Sequence, residues 1–355
     1  MFDQKDDREE LEKIDRELLR LLDLRAELSL KKRKSSAEEV ANELPPSESS
    51  LIETALKETS FFPEEGLRRV MIEIVSWCRK LERPVSVGFL GPEGTFSHQA
   101  SFYAFGSAVK FVPLPNIDDI FTSVEKRTVD YGLVAIENST GGVVHDVLDR
   151  FLHTDVSITS EIVLYIRHCL ISNLPLEKIT RIFSHPQPFI QCREWLKTNL
   201  PNAEFIETSS TVEGVKRASE EEYAAAIGSE MAARLYDMNV VADNIQDRSE
   251  NYTRFVILGN TVPEPTESDK TSIILSLKHK PGTLFESLKP FAERGINLSK
   301  IESRPTRQRP WEYVFFIDFE GHVKDQKVQE VLKELEPHCL FVKRLGSYPR
   351  ADEIH

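Results

Sequence analysis

The chain has 355 residues, 40% hydrophobic and 29% charged, which suits a globular protein of two or three domains. Its 45 basic against 58 acidic residues give a net charge of -13, which argues against general nucleic-acid or anionic-membrane binding, since both need a positive surface. Cys78, Cys169, Cys192 and Cys339 lie too far apart for a disulfide framework or a zinc site. No signal-peptide core or run near the ~20 apolar residues of a membrane span is present, so a cytoplasmic location is expected.

From Arg8 to about Lys34, Leu11, Ile14, Leu18, Leu21, Leu22, Arg25 and Leu28 recur at three- and four-residue spacing and predict one amphipathic helix. A loop at Pro45-Pro46 leads to a second helix carrying Leu51, Ile52, Ala55 and Leu56. Pro63-Glu64-Glu65 has the composition of a first helical turn, and Leu67, Val70, Met71, Ile74, Val75, Cys78 and Leu81 stripe a third helix. Arg25 lies on the apolar stripe of the first helix, so its guanidinium snorkels outward, pairs internally or meets an anion. This three-helix pattern resembles the all-helical bacterial chorismate mutases, with Arg8 and Arg25 at the family's two carboxylate-binding arginines. The resemblance implies a site shared between two intertwined chains, where a dicarboxylate, chorismate, is held compactly and rearranges without a nucleophile. Glu48, Cys78 and Glu82 fall at further substrate-contact positions. The chain departs from the family at several of these places. The lysine expected near Ser35 or Ser36 is missing, the acidic pair is reduced to Glu48, and Cys78 and Glu82 replace the usual donors. A helical dimerisation domain without mutase activity therefore stays open.

After Arg83-Pro84 the pattern becomes short apolar runs alternating with amphipathic helices, an α/β signature. Val85 to Leu90 ends in Gly91-Pro92-Glu93-Gly94-Thr95-Phe96-Ser97-His98, and Tyr131 to Ile136 ends in Glu137-Asn138-Ser139-Thr140-Gly141-Gly142. Ile179 to Phe183 ends in Ser184-His185-Pro186-Gln187, Ala203 to Ile206 leads to Thr208-Ser209-Ser210-Thr211, and Tyr223 to Ile227 to Gly228-Ser229. Ligands of open α/β sheets bind outside the carboxyl ends of strands, where loop amides and helix amino termini attract anions. Gly91 to Gly94 lacks either nucleotide-loop pattern, and no grouping has metal-ligand or Ser-His-Asp character. The reading therefore calls for no cofactor and no metal. Asn251-Tyr252-Thr253-Arg254-Phe255 then opens a buried strand, in which Thr253 and Phe255 share one face and Arg254 takes the other.

Gly91 to Ser97, Glu137-Asn138-Ser139 with Gly142, Ser184 to Gln187, and Asn251 with Thr253-Arg254-Phe255 together resemble the prephenate dehydratases. The resemblance implies two α/β lobes of the periplasmic-binding-protein type around a cleft, with Thr253 the essential threonine. It places Thr95, Ser97, Asn138, Ser139, His185, Gln187, Ser210 and Arg254 among the contacts to prephenate. Such an enzyme releases carbon dioxide and water from a cyclohexadienol, so it needs two carboxylate clamps and one positioned donor at the departing hydroxide. A non-catalytic sensor of small anions is the alternative from another class.

Pro263 to Ser268 reads as a linker. A strand (Thr271 to Leu277), a helix (Gly282 to Arg294, stopped by Gly295), a hairpin (Asn297 to Ser303 and Trp311 to Phe319), a helix (Lys327 to Leu335) and a strand (Leu340 to Leu345) give the βαββαβ order of a ferredoxin-like sandwich. Pro281 to Phe285, Asn297-Leu298 and Glu302-Ser303-Arg304-Pro305 resemble the amino-acid-sensing ACT domain. The resemblance implies a phenylalanine pocket between two chains, contacted by Gly282, Thr283, Leu284, Asn297, Leu298 and Ser303. The expected organisation is a helical domain at 1–83, a dehydratase domain at 84–262, a linker at 263–270 and a regulatory domain at 271–350, in a homodimer or homotetramer.

Overall fold

The computed structural model describes residues 4–35, 59–278, 280–305 and 313–351; Glu48 and the predicted helix at 51–56 lie outside them. The chain divides into two compact units, residues 1–86 with 102–110, and residues 87–101 with 111–355.

In the first unit, helix α1 (Gln4–Ser35) runs as its apolar periodicity requires, and α2 (Glu64–Glu82) begins directly after Pro63. Glu64 and Glu65 in the first turn of α2 and Arg79 and Lys80 in the last complement the helix dipole. Segment 102–110 joins this unit through Glu73, whose carboxylate accepts from the Ser107 amide at 2.9 Å, and Ser76, whose hydroxyl accepts from the Ala108 amide at 3.1 Å. Along α1 the side chains of Leu11, Ile14, Leu18, Leu22 and Leu28 remain 40% to 61% exposed.

The second unit holds three sheets. The first combines β1 (Ser86–Leu90), β2 (Lys110–Leu114), β3 (Tyr131–Asn138), β4 (Gly142–Val143), β5 (Ser157–Tyr165) and, from much later in the chain, β11 (Tyr252–Gly259). Its order is β2-β1-β3-β11-β5, with β4 on β3. Helices α3 (Phe96–Phe105), α4 (Ile117–Glu125) and α5 (His145–Phe151) follow its strands. The second sheet lies wholly within the excursion between β5 and β11. It orders β6 (Cys169–Ile171), β7 (Arg181–Ser184), β8 (Glu204–Glu207), β9 (Ala224–Gly228) and β10 (Val240–Ala242) as β10-β6-β9-β7-β8. Helices α6 (Pro186–Gln191), α7 (Arg193–Asn199), α8 (Thr211–Glu220) and α9 (Glu230–Leu235) accompany it. Continuous apolar runs such as Ala224–Gly228, buried along their whole length, are what a strand covered on both faces requires.

The third sheet is the predicted βαββαβ unit. It comprises β12 (Asp269–Leu277), α10 (Thr283–Glu293), β13 (Leu298–Pro305), β14 (Tyr313–Glu320), α11 (Gln326–Leu335) and β15 (Cys339–Pro349), with strand order β13-β14-β12-β15. Gly282 (φ 84°) and Gly295 (φ 65°) bracket α10 in the left-handed region that glycine tolerates. The last strand runs to Pro349 rather than stopping near Leu345, because it packs against β5: Ile158, Val256 and Leu258 share one core with Ile274, Phe316, Leu345 and Tyr348. At Gly346 the two backbones approach so closely that an added Cβ would lie 2.0 Å from the Ile158 carbonyl oxygen. Gly346→Ala is therefore expected to cost about 1–3 kcal/mol of stability by forcing β15 off β5. An unchanged urea midpoint would show that this junction gives way freely.

Candidate active site

Strand β11 lies antiparallel between β3 and β5, in a register that sets Thr253 opposite Asn138 and Arg254 opposite Glu137. Side chains alternate across a strand, so the two pairs point to opposite faces of the sheet.

On one face, the Asn138 Nδ2 group donates to Thr253 Oγ1 at 2.8 Å, Asn251 Oδ1 at 3.0 Å and the Tyr252 carbonyl at 3.0 Å. Its Oδ1 accepts from the Thr140 amide at 3.0 Å, the Thr140 hydroxyl at 2.8 Å and the Gly141 amide at 2.7 Å. Donors surround one end of this amide and acceptors the other, so its orientation is fixed. Thr253 Oγ1 is consequently an acceptor in its bond to Asn138. Its own proton has no acceptor among the described residues, and the residue is 9% exposed.

The loops predicted to converge do so unevenly. Ser139 is spent on backbone: its hydroxyl donates to the Glu250 carbonyl at 2.8 Å and accepts from the Tyr252 amide at 2.9 Å, so it staples the start of β11 rather than offering a proton to a ligand. Thr140 accepts from Gln191 Nε2 at 2.6 Å, and Gln191 Oε1 meets His168 Nε2 at 2.7 Å. A bond between the two lobes thus ends on Thr140, whose hydroxyl donates in turn to Asn138. Gln187 approaches the same turn, its Nε2 lying 2.6 Å from where a Cβ on Gly141 would sit. Burial holds the His168 imidazole below its ordinary pKa, only partly offset by the Gln191 bond. Thr95 donates to the Leu90 carbonyl at 3.1 Å and accepts from the His98 amide at 3.3 Å. Ser97 lies in the first turn of α3, half-buried. Ser229 ties this first loop to the second lobe by donating to the Gly94 carbonyl at 2.6 Å. His98 is a loop staple, its Nδ1 accepting from the Gly94 amide at 3.0 Å and its ring stacked on Phe89 at 4.7 Å. His185 and Ser210 cap the amino termini of α6 and α8, accepting from the Gln187 and Glu213 amides. Among the described residues no hydrogen bond joins Ser210 to the Thr253 group.

Sequence reading passed over Thr140 and Gln191 as functional residues. Gln191 stands four residues after Gln187, one helical turn along α6, and that spacing is the signal that could have found it.

Arg254 requires a correction, because it does not face the hydroxyl-lined loops with Thr253. Its guanidinium is buried on the opposite face, bonded to Glu161 (2.6 Å), Asp318 (2.6 Å), Glu137 (3.1 Å) and the Tyr348 hydroxyl (3.0 Å). Lys270 adds a 2.7 Å bond to Glu161, Lys300 bonds Glu137, and Ser272 donates to Asp318 at 2.6 Å. Strand alternation sent this side chain away from Thr253, and three carboxylates compensate it there. Burial opposes the arginine charge, yet Tyr348, Asp318 and Glu161 outweigh it and push the guanidinium pKa up. Burial likewise favours the protonated acid at Asp318, but Arg254 and Ser272 hold it below the usual carboxylate range.

In the first unit, Arg8 is exposed and pairs with Glu12 at 3.6 Å, Arg25 and Glu82 are half-buried, and Cys78 is buried. Seventeen residues of helix separate Arg8 from Arg25, roughly 25 Å at 1.5 Å per residue, so within one chain they cannot grip one small dianion. In the third sheet, Gly282, Leu284, Asn297 and Ser303 are exposed, while Thr283 and Leu298 are half-buried. Thr283 donates to the Lys280 carbonyl at 2.8 Å, and Asn297 donates to Glu320 at 3.1 Å.

The family model for prephenate dehydratase matches residues 87–262, and that for the ACT domain matches residues 271–337. A bifunctional chorismate mutase/prephenate dehydratase of Aquifex aeolicus is 42% identical over 360 residues, 99% of this chain and 99% of that protein. One from Pseudomonas aeruginosa is 45% identical over 289 residues, 81% of this chain and 79% of that protein. Among solved structures, the prephenate dehydratase of Arthrobacter aurescens in complex with L-Phe superposes with a TM-score of 0.71 at 36% identity, covering 76% of this chain and 91% of that one. The prephenate dehydratase of Staphylococcus aureus gives 0.66 at 26%, covering 74% and 100%.

Proposed function

We propose a residue-level mechanism from the premise that this chain belongs to the family of bifunctional chorismate mutase/prephenate dehydratases. It is a prephenate dehydratase with an ACT regulatory domain, acting in phenylalanine biosynthesis. In the reaction the bond from the ring to its carboxylate breaks, carbon dioxide leaves, and the electron pair enters the ring. The ring hydroxyl departs as hydroxide and takes a proton to become water, leaving phenylpyruvate. Aromatisation drives the step, so the protein has only to clamp two carboxylates and assist the departing oxygen.

Thr253 is assigned that assistance. The observation that carries the assignment is its hydroxyl, oriented by Asn138 at 2.8 Å and left with an uncommitted proton. A threonine is a weak acid, so it acts by a directed hydrogen bond that strengthens as negative charge grows on the leaving oxygen. Asn138 orients it. Ser97, His185, Gln187 and Ser210, with the amides of their loops and helix starts, supply donors for the carboxylates, while Thr95, its hydroxyl proton committed to Leu90, takes part by its backbone amide. Arg254 is reassigned from substrate contact to support of the strand.

The proposed domains are a helical mutase-type domain at 1–83, the dehydratase at 84–262, a linker at 263–270 and the regulatory domain at 271–350. Chorismate is the substrate proposed for the first, in a site built by two chains: the exposed leucine stripe of α1 supports pairing with a second copy, and the separation of Arg8 and Arg25 asks for it. Phenylalanine is the proposed inhibitor, bound near Gly282 to Leu284, Asn297, Leu298 and Ser303 and closed over by a partner chain. One preparation given chorismate and prephenate separately, with phenylpyruvate followed, tests all three parts. Both substrates should yield phenylpyruvate, and about 1 mM phenylalanine should slow turnover by a coupling of roughly 1–3 kcal/mol. Failure on chorismate alone removes only the mutase, and failure on prephenate removes the mechanism.

A further inference from the structure

Two of the residues that flank the Asn138–Thr253 pair, Glu137 and Arg254, are held from the regulatory sheet. Arg254 follows Thr253 and is bonded by Asp318 of β14 and Tyr348 of β15. Glu137 precedes Asn138 and is bonded by Lys300 of β13. Arg254 and Glu137 also bond each other across β3 and β11, at 3.1 Å. The regulatory sheet thus grips both strands one residue from the donor and from the amide that orients it.

Strand β13 is two-faced in the way a signal would need. Lys300, Glu302 and Arg304 point to the first lobe, meeting Glu137, His145 (3.9 Å) and Asp149 (bonds of 2.8 and 2.9 Å). Ser299, Ile301, Ser303 and Pro305 alternate with them and are exposed, and Ser303 is among the proposed phenylalanine contacts. A shift or twist of β13 on ligand binding is therefore delivered to Glu137 with no intervening side chain except Lys300.

We propose that Lys300 and Asp318 are positioning residues for the dehydration, and that the Lys300–Glu137 bond carries the phenylalanine response to Thr253. This rests on the dehydratase and feedback readings above. Neither residue touches substrate; Lys300 acts through Glu137 on the end of β3, and Asp318 through Arg254 on the start of β11. Lysine to methionine keeps the stem that packs along the strand and removes only the charge that reaches Glu137.

The test uses the full-length chain as Lys300→Met and Lys300→Arg, with prephenate kinetics with and without phenylalanine, and phenylalanine binding by calorimetry. In Lys300→Met, phenylalanine should bind within about threefold of the original affinity, yet the fraction of turnover it suppresses should fall by at least half. Its kcat should drop roughly fivefold with KM within twofold, and Lys300→Arg should restore both. A purely structural lysine would change the unfolding temperature and leave the fraction suppressed at saturation unaltered. Glu137→Gln, which keeps shape and breaks the same bond from the other side, should reproduce the uncoupling and stands in if Lys300→Met does not fold. Full inhibition in either variant overturns the proposal, as does loss of phenylalanine binding in Lys300→Met, which would put the lysine in the pocket instead. An unmodified chain inactive on prephenate or indifferent to phenylalanine overturns the readings beneath it, and is told apart because it needs no variant.

Discussion

Thr253→Val is expected to lower prephenate turnover by about 10²–10³-fold, equivalent to roughly 2.7–4 kcal/mol of lost transition-state stabilisation. Valine fills the same volume and shares the β-branched preference for a strand, so the change deletes a hydroxyl and little else. Asn138 loses one of its three acceptors and keeps the Asn251 side chain and the Tyr252 carbonyl, so its orientation survives. The cost in stability should stay near 1 kcal/mol, the net worth of one hydrogen bond. Activity and folding are thereby separated: phenylpyruvate release collapses while the thermal transition moves by a few degrees. Thr253→Ser retains the donor but loses the methyl that restricts χ1, and a loss of roughly tenfold is expected for that freedom. A valine variant turning over at close to the original rate would dismiss the hydroxyl from the chemistry.

Arg254→Met should take its largest toll on stability, beyond any loss of turnover passed to the start of β11. The guanidinium compensates Glu161 and Asp318, whose side chains are 1% and 8% exposed, and removing one member of a buried charged group costs about 3–5 kcal/mol. Lys270 still serves Glu161 and Ser272 still serves Asp318, which keeps the figure from rising further. Because the partners come from both the first lobe and the regulatory sheet, the loss should appear as loosening between those two layers. Chemical denaturation reads the total, and limited proteolysis near the 263–268 linker reads where the chain opens. A midpoint within 1 kcal/mol of the parent would mean that the network contributes nothing net, as happens when desolvation cancels Coulomb attraction. Asp318→Asn in the same background should add little, since the pair acts as a unit.

Local features of the fold were readable from residue spacing; distant pairings were not. Helix α10 could be bounded because Gly282 and Gly295 punctuate it, and the βαββαβ order followed from apolar runs and their separators. Where β11 sits could not be read, because its insertion between β3 and β5 is a pairing across more than 85 residues that leaves no mark in spacing. Arg254 shows the same division within one dipeptide. Strand alternation already turned it from Thr253, but the carboxylates it meets stand at 137, 161 and 318, and no periodicity links those positions. The resemblance then supplied the more obvious partner for an arginine, an anionic ligand, whereas the fold bonds it to these carboxylates. On α1 the heptad-like stripe revealed which face is apolar and nothing about what covers it.

The placing of β11 also sets a timetable. The second lobe's sheet is continuous in sequence from 169 to 242, so a chain emerging amino terminus first can close that lobe early. The first lobe cannot, since β5 has no bonded neighbour in its sheet until residues 252–259 arrive to bridge it to β3. Thr253 therefore enters the molecule on the strand that completes the older half. No nascent or truncated chain ending short of that strand can hold an assembled catalytic pair.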